Sequence, residues 1–274
     1  MIEHSAMNPA ATGGGAEPAF IHVNGVSKTY ESNSGDIIAI ETLDFGIGAH
    51  EFLSIVGPSG CGKSTLLMIL SGLLPPTAGL VVIGKQPVNG PYTKLGIVFQ
   101  QDALLDWRTV IQNVMLQADI RGLDKAAMKL RAHELLRLVK LDGFEDKYPH
   151  HLSGGMRQRV AICRALLHDP DLLLMDEPFG ALDAFTRDQL NIDLLRFWHE
   201  TRKTVVFVTH SIPEAVFLSD RVIVMTPRPG RIEDVVTINL PRPRRLSMRD
   251  MPEFAEYTRR ITSIFESVGV LREE

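Results

Sequence analysis

Eight residues, Gly57-Pro58-Ser59-Gly60-Cys61-Gly62-Lys63-Ser64, follow the pattern G-x-x-x-x-G-K-[ST] at every fixed position. Glycines at this spacing let successive backbone N–H groups turn inward around an anion. A helix that starts near Lys63 adds the positive end of its dipole. In such a loop the lysine reaches the β- and γ-phosphates of a nucleoside triphosphate, and the Ser64 hydroxyl faces Mg2+. The apolar run Phe52-Leu53-Ser54-Ile55-Val56 before the loop predicts a strand buried on both faces. Residues 65–74 predict a helix, stopped by Pro75-Pro76.

Other residue types with chemistry stand after similar runs. Asp176-Glu177 ends the stretch Leu172-Leu173-Leu174-Met175. Ligand groups of α/β folds sit at the C-terminal ends of buried strands. There Asp176 suits an acceptor for metal-bound water, and Glu177 suits a base that polarises an attacking water. By itself the pair could equally be acidic residues meeting solvent. His210 follows the run 204–208 and could contact the γ-phosphate or hold the attacking water; a lone histidine at a strand end can also be structural. Ser153-Gly154-Gly155 opens a helical pattern, either as a plain N-cap or as a second anion site.

The elements that must position these groups alternate. Strand runs at 19–23, 37–40, 43–47, 80–83, 95–99, 171–175, 204–208 and 221–225 are mostly separated by helical segments. That alternation predicts an α/β sheet, largely parallel in its core. From Trp107 to Lys147 no strand is legible. Leu130, Leu135, Leu138 and Val139 recur there at helical spacing, which predicts a helical insertion. Residues 241–245, Pro-Arg-Pro-Arg-Arg, break the pattern. Phe254, Tyr257, Ile261, Ile264, Phe265 and Val268 then form one stripe of a docking helix.

At this point the chain resembles an ATP-binding-cassette (ABC) ATPase, the motor subunit of an ABC transporter, from about Phe20 to Pro241. Leu152–Arg159 matches that family's signature motif. Gln100 matches its Q-loop glutamine, Gly180-Ala181-Leu182-Asp183 its D-loop, His210 its switch histidine and Tyr30 the aromatic residue that stacks on adenine. The resemblance implies an α/β P-loop NTPase core with an antiparallel β subdomain, a helical subdomain at about 103–160 and a C-terminal linker and helix at 241–274. It implies ATP and Mg2+ as ligands. Nucleotide contacts are expected from Tyr30, Gly57 to Thr65, Gln100, Ser153, Gly154, Gly155 and Asp183. Metal contacts are expected from Ser64, Gln100 and Asp176, and catalysis from Glu177 and His210. Two copies are expected to close head to tail, each ATP lying between one copy's phosphate loop and the other's Ser153-Gly154-Gly155. The further partners implied are membrane permease subunits and, through them, a solute-binding protein, with the chain at the cytoplasmic face of the cell membrane.

Residues 98–110, Val-Phe-Gln-Gln-Asp-Ala-Leu-Leu-Asp-Trp-Arg-Thr-Val, and 227–232, Pro-Arg-Pro-Gly-Arg-Ile, are similar to segments of importers for nitrate, sulfonates and taurine. Those importers usually carry Pro where this chain has Asp106, and the same group includes importers for pyrimidine precursors and aromatic acids. A non-transport cassette of the cluster-assembly type is the alternative. Leu104, Leu105 and Trp107 form either a socket for a permease helix or core of the insertion. Arg242, Arg244 and Arg245 either face anionic lipid or lie in a solvated linker.

Composition sets limits. The net charge of −4 lacks the basic excess of a general nucleic-acid binder. The two cysteines, Cys61 and Cys163, form no CxxC, so a disulfide framework or zinc site is not expected. The neighbours His150 and His151 are expected to diverge and to hold no metal. Residues 1–18 read as a flexible lead-in without a secretory pattern. No apolar run reaches the roughly 18 residues of a membrane span.

Overall fold

The computed structural model describes residues 19–32 and 35–271. In chain order the first half forms β1 (Ile21–Tyr30), β2 (Ile37–Ile47), β3 (Phe52–Val56), α1 (Lys63–Leu70), β4 (Ala78–Ile83), β5 (Gln86–Pro87) and β6 (Leu95–Val98). A helical stretch follows with α2 (Val110–Val114), α3 (Leu116–Arg121), α4 (Lys125–Leu138) and α5 (Gly154–Leu166). The chain continues through β7 (Leu172–Asp176), α6 (Ala184–Thr201), β8 (Thr204–Thr209), α7 (Ile212–Leu218), β9 (Arg221–Met225), β10 (Ile232–Thr237) and α8 (Pro252–Ser267).

Two sheets carry the fold. One has strand order β10-β9-β3-β8-β7-β6, parallel from β9 to β6, with β10 as an antiparallel edge. Every residue of β3 and of β8 is buried. This is why both read as unbroken apolar runs: a parallel strand covered on both faces has no solvent side to alternate with. The other sheet, β2-β1-β4-β5, is antiparallel. Residues 80–83, grouped in the sequence with the parallel strands, belong to this second sheet as part of β4, and Leu80 is exposed. The separate runs 37–40 and 43–47 are one strand, β2, whose pairing with β1 absorbs several register shifts. The edge strand β10 carried no legible signal.

Helix ends and faces account for further differences. The first helix stops at Leu70, short of residue 74. Gly72 takes a left-handed φ of 74°, and the Leu73 and Leu74 N–H groups both turn back to the Met68 carbonyl. This glycine stop acts before the prolines do. In α4 the buried stripe is Ala132, Leu135, Leu136 and Val139, at the i, i+3, i+4, i+7 spacing. Leu130 lies off that stripe and is exposed, so it is not core.

The C-terminal segment is neither a solvated linker nor a lipid-facing patch at two of its three arginines. Arg244 is buried, and its guanidinium donates to the carbonyls of Val216 (3.1 Å), Phe217 (3.0 Å) and Ser219 (2.7 Å). These are the last carbonyls of α7 and its exit, which have no intrahelical partner. Burial pushes the Arg244 pKa down to about 10, and the nearby Arg242 charge adds to the shift. Arg242 pairs with Asp220 at 2.7 Å and stacks over Trp198, 4.2 Å from the ring centre. Arg245 alone stays exposed. The expected docking helix is α8, which buries Phe254, Ile261 and Phe265. Replacing Arg244 by Ala strands several buried carbonyls, so Arg244→Ala is expected to lower unfolding free energy by about 2–4 kcal/mol. A shift of the urea midpoint at constant slope measures it.

Candidate functional site

Parallel pairing decides where the chemistry meets. Val56 pairs with Thr209, Asp176 with Val208 and Met175 with Val98. The loops that follow β3, β8, β7 and β6 therefore leave the sheet at one edge and nearly one level. They carry Gly57–Ser64, His210, Asp176-Glu177 and Gln100. A cleft of about 530 Å³ opens there, and its lining includes Tyr30, Gly60, Lys63, Ser64, Thr65, Gln100, Asp176 and Glu177. That volume falls in the range of small-molecule and cofactor sites.

The start of α1 is built for an anion. Its N-cap is Gly62, at φ 100°, with no side-chain cap. The N–H groups of the first turn are thus left for a ligand. A Cβ on Gly62 would stand 2.9 Å from the Ala39 carbonyl oxygen, and an L side chain there is strained in any case. Lys63 is buried, and its Nζ donates to the carbonyls of Gly57 (2.8 Å) and Pro58 (3.0 Å). Nζ also stands 3.8 Å from Glu177 Oε1. Cys61 points inward, fully buried, so only its backbone is offered to a ligand. Tyr30 Oη lies 3.3 Å from Thr65 Oγ1, which brings the aromatic side chain to the cleft rim.

Asp176 and Glu177 end β7 with different surroundings. Burial raises the Asp176 pKa and the Glu177 charge adds to the rise, while a hydrogen bond from Ser64 and the Lys63 charge oppose it. Glu177 sits at φ 44°, a left-handed conformation uncommon for a non-glycine residue. Its N–H donates to the Val208 carbonyl at 2.9 Å. The turn brings Glu177 Oε2 to 3.1 Å from His210 Nδ1. A carboxylate, an imidazole and an ammonium thus converge at the rim of the cleft.

Ser64, Gln100 and Asp176 offer three oxygen donors in the same cleft. Among the described residues no group of three or more His, Cys, Asp or Glu side chains is placed to hold a metal. Both facts fit Mg2+, which is bound through few protein oxygens together with water and substrate phosphates, and fit a closed protein cage poorly. His150 and His151 do not diverge: their rings lie 4.1 Å apart beside Tyr148, and His151 Nδ1 accepts from the Tyr148 N–H.

Two expected groups, Ser153-Gly154-Gly155 and Asp183, lie elsewhere. Ser153, Gly154 and Gly155 do not line the cleft. Ser153 is the N-cap of α5 and accepts from the Met156 N–H at 3.3 Å. A capping hydroxyl keeps its own proton to donate. Asp183 is likewise an N-cap, of α6, accepting from the Thr186 N–H at 3.0 Å; that bond holds its carboxyl below the usual range. Gln100 is at the cleft, and the segment after it is latched to α5: Arg157 Nε donates to Asp102 at 2.9 Å, and Arg164 donates to the carbonyls of Asp102 and Ala103 at 2.7 Å.

Three cleft residues were missed, Ile37, Ala39 and Arg228, and of these Arg228 is the charged one. Arg228 donates to the Gly60 carbonyl at 3.3 Å. Its turn is held by the Ile40–Gly230 bridge, a pairing between distant segments with no local signal. The Pro-Arg-Pro-Gly run was visible but pointed to no site.

A glycine loop on the central strand of a parallel sheet, with an acidic pair on a nearby strand, defines a P-loop nucleoside triphosphatase. The ABC transporter family model matches residues 40–180. An uncharacterised ABC transporter ATP-binding protein of Methanocaldococcus jannaschii is 48% identical over 246 residues, covering 90% of this chain and 91% of that protein. An aliphatic sulfonates import ATP-binding protein of Bacillus cereus is 42% identical, over 92% of this chain and 98% of its own length. A dimeric post-hydrolysis state of the ATP-binding cassette MJ0796, bound to ADP and Pi, superposes with a TM-score of 0.71 at 35% identity, covering 81% of this chain and 100% of that one. The chain belongs to the ABC transporter family and is an ATP-hydrolysing cassette subunit. Among the described residues no helix is long and apolar enough to cross a membrane.

Burial pushes the Cys163 thiol up to about 12 and raises the buried Cys61 thiol as well. Thiolates, not thiols, alkylate. The native protein is therefore expected to resist iodoacetamide at mildly alkaline pH, and both cysteines are expected to react in denaturant. Intact mass reads the count of adducts.

Proposed function

We propose that this chain powers an importer of a small anionic solute, of the nitrate, sulfonate or taurine type, through separate permease subunits at the cytoplasmic face of the membrane. One observation carries the cassette mechanism: the cleft holds the phosphate loop, Glu177 and Gln100 with His210 at its rim, while Ser153-Gly154-Gly155 lies outside it. A second copy, turned head to tail, supplies that helix start to the γ-phosphate. The import direction and solute class rest on the similarity to the Bacillus cereus sulfonate import protein and on the segments 98–110 and 227–232.

In this reading the first-turn N–H groups of α1 and Lys63 hold the β- and γ-phosphates. Ser64, Asp176 and Gln100 would hold Mg2+, which would supply charge neutralisation at the phosphoryl group. Glu177 takes the proton of the attacking water. His210, 3.1 Å from Glu177, holds the carboxylate and the γ-phosphate in one geometry. Closure and reopening of the two copies is the bistable element that ATP biases.

The permease surface is placed at the Q-loop. Trp107 is 74% exposed, with Leu104 and Leu105 half-buried beside it in sequence. The exposed Trp107 ring next to two half-buried leucines is what supports a socket here. The alternative, that all three are core of the insertion, does not hold for Trp107.

Glu177→Gln is expected to keep ATP binding and to lower turnover about 10²–10⁴-fold. Steady-state hydrolysis with equilibrium binding reads both, and near-normal turnover removes Glu177 as the base. Trp107→Ala is expected to keep basal hydrolysis and to lose co-purification with the permease; undiminished co-purification removes the socket.

A further inference from the structure

Between α6 and α7 lies a partly buried polar cluster that the hydrolytic scheme does not use. Arg187, one turn into α6, donates through one guanidinium nitrogen to the Leu182 carbonyl at 3.0 Å. Its Nε stands 3.5 Å from Glu214 Oε1 on α7. The other oxygen of Glu214 accepts from the Thr209 hydroxyl at 2.6 Å. That hydroxyl oxygen accepts in turn from the Ser211 N–H at 3.0 Å, and the Glu214 N–H closes onto the Ser211 hydroxyl at 3.4 Å. His210 is the residue between Thr209 and Ser211. Both of its chain neighbours are therefore pinned by Glu214.

The other end of this chain of contacts reaches the half-site offered to a second copy. A Cβ on Gly155 would stand 2.5 Å from Thr186 Cγ2, and one on Gly154 would stand 3.1 Å from Leu182 Cδ2. The start of α5 thus packs directly on Leu182, which precedes the Asp183 cap, and on Thr186, whose N–H donates to that cap. Any displacement of Ser153-Gly154-Gly155 is felt by the Leu182 carbonyl that Arg187 holds.

The network is not at its hydrogen-bond optimum. Arg187 Nε, Glu214 Oε1 and both amide atoms of Asn191, one turn further along α6, are buried and make no hydrogen bond. A charged N–H···O contact settles at about 2.7–2.9 Å, so a shift of about 0.7 Å between α6 and α7 would complete the Arg187–Glu214 bond. An ion pair between a buried Glu214 and a half-buried Arg187, with unsatisfied atoms, is a poor source of stability. Its geometric effect is larger: it ties two elements into one.

We propose that Arg187 and Glu214 are positioning residues that couple the Ser153–Asp183 face, where the second copy docks, to the placement of His210. The coupling makes hydrolysis in a chain's own cleft depend on how its α5 start is engaged. The proposal rests on the assignment of His210 to the hydrolytic step.

The test compares Arg187→Met, Glu214→Gln and the double variant in the full chain. Each single change leaves one member of the pair without its partner and lowers Tm, most for Arg187→Met, which strands the buried Glu214 carboxylate. Glu214→Gln is the milder one, since its amide oxygen still accepts from Thr209. The double variant has no lone buried charge, so its Tm returns toward that of the parent. With a coupling role, its kcat stays about tenfold low, no lower than in either single variant, with KM for ATP within about twofold. A purely structural role predicts that kcat recovers together with Tm; that recovery overturns the proposal, as do single-variant losses that multiply in the double. His210→Ala, run alongside, separates the two readings. If it keeps turnover, the histidine assignment falls. If it loses turnover while the double variant keeps it, the coupling alone falls.

Discussion

Parallel register in the six-stranded sheet is the constraint on which the rest depends. Because β3, β8, β7 and β6 all point one way and pair level, four loops separated widely in sequence end within reach of one cleft. A parallel sheet of this kind survives only if both faces are covered, so the site requires the helices and the antiparallel sheet that cover it. The buried Phe52, Leu53 and Ile55 of β3 lie under the phosphate loop, each worth about 1.5–3 kcal/mol of burial. Stability and catalysis share the same strand.

Two helix starts divide the labour. The first, at Lys63, has a left-handed glycine and no side-chain cap, so its N–H groups are kept for a ligand inside the chain's own cleft. The second, at Gly154, is capped by Ser153 and stands apart from that cleft. One chain therefore displays an uncapped helix start inside its cleft and a capped one outside it. Polar contacts link the elements around the two starts. The Arg157–Asp102 pair joins α5 to the segment after Gln100, and the Arg187–Glu214 pair joins α6 to the turn at His210. Both pairs bridge elements that meet only in the folded chain.

Legibility in the sequence followed the range of the cause. Gly62, Lys63 and Ser64 were readable because a phosphate cradle is made by consecutive residues. Asp176, Glu177 and His210 were readable because a buried parallel strand announces itself as an apolar run and its C-terminal end is one residue further on. Leu130 misled because a helix stripe is set by which face meets the neighbouring helices, and spacing alone leaves the phase open. Residues 80–83 misled because strand direction is decided by partners. Arg228 was missed because its place depends on a bridge between Ile40 and Gly230.

The sequence by itself determined the nucleotide loop, the acidic pair, the signature helix start and the family, since each is a short-range pattern of residue types with one physical use. Only the tertiary structure decided that Arg244 caps the end of α7, that Glu177 turns through a left-handed φ to meet His210, and that Ser153 lies outside the cleft. Those outcomes depend on which carbonyls are left without donors and which strands lie side by side. Neither is a property of neighbouring residues.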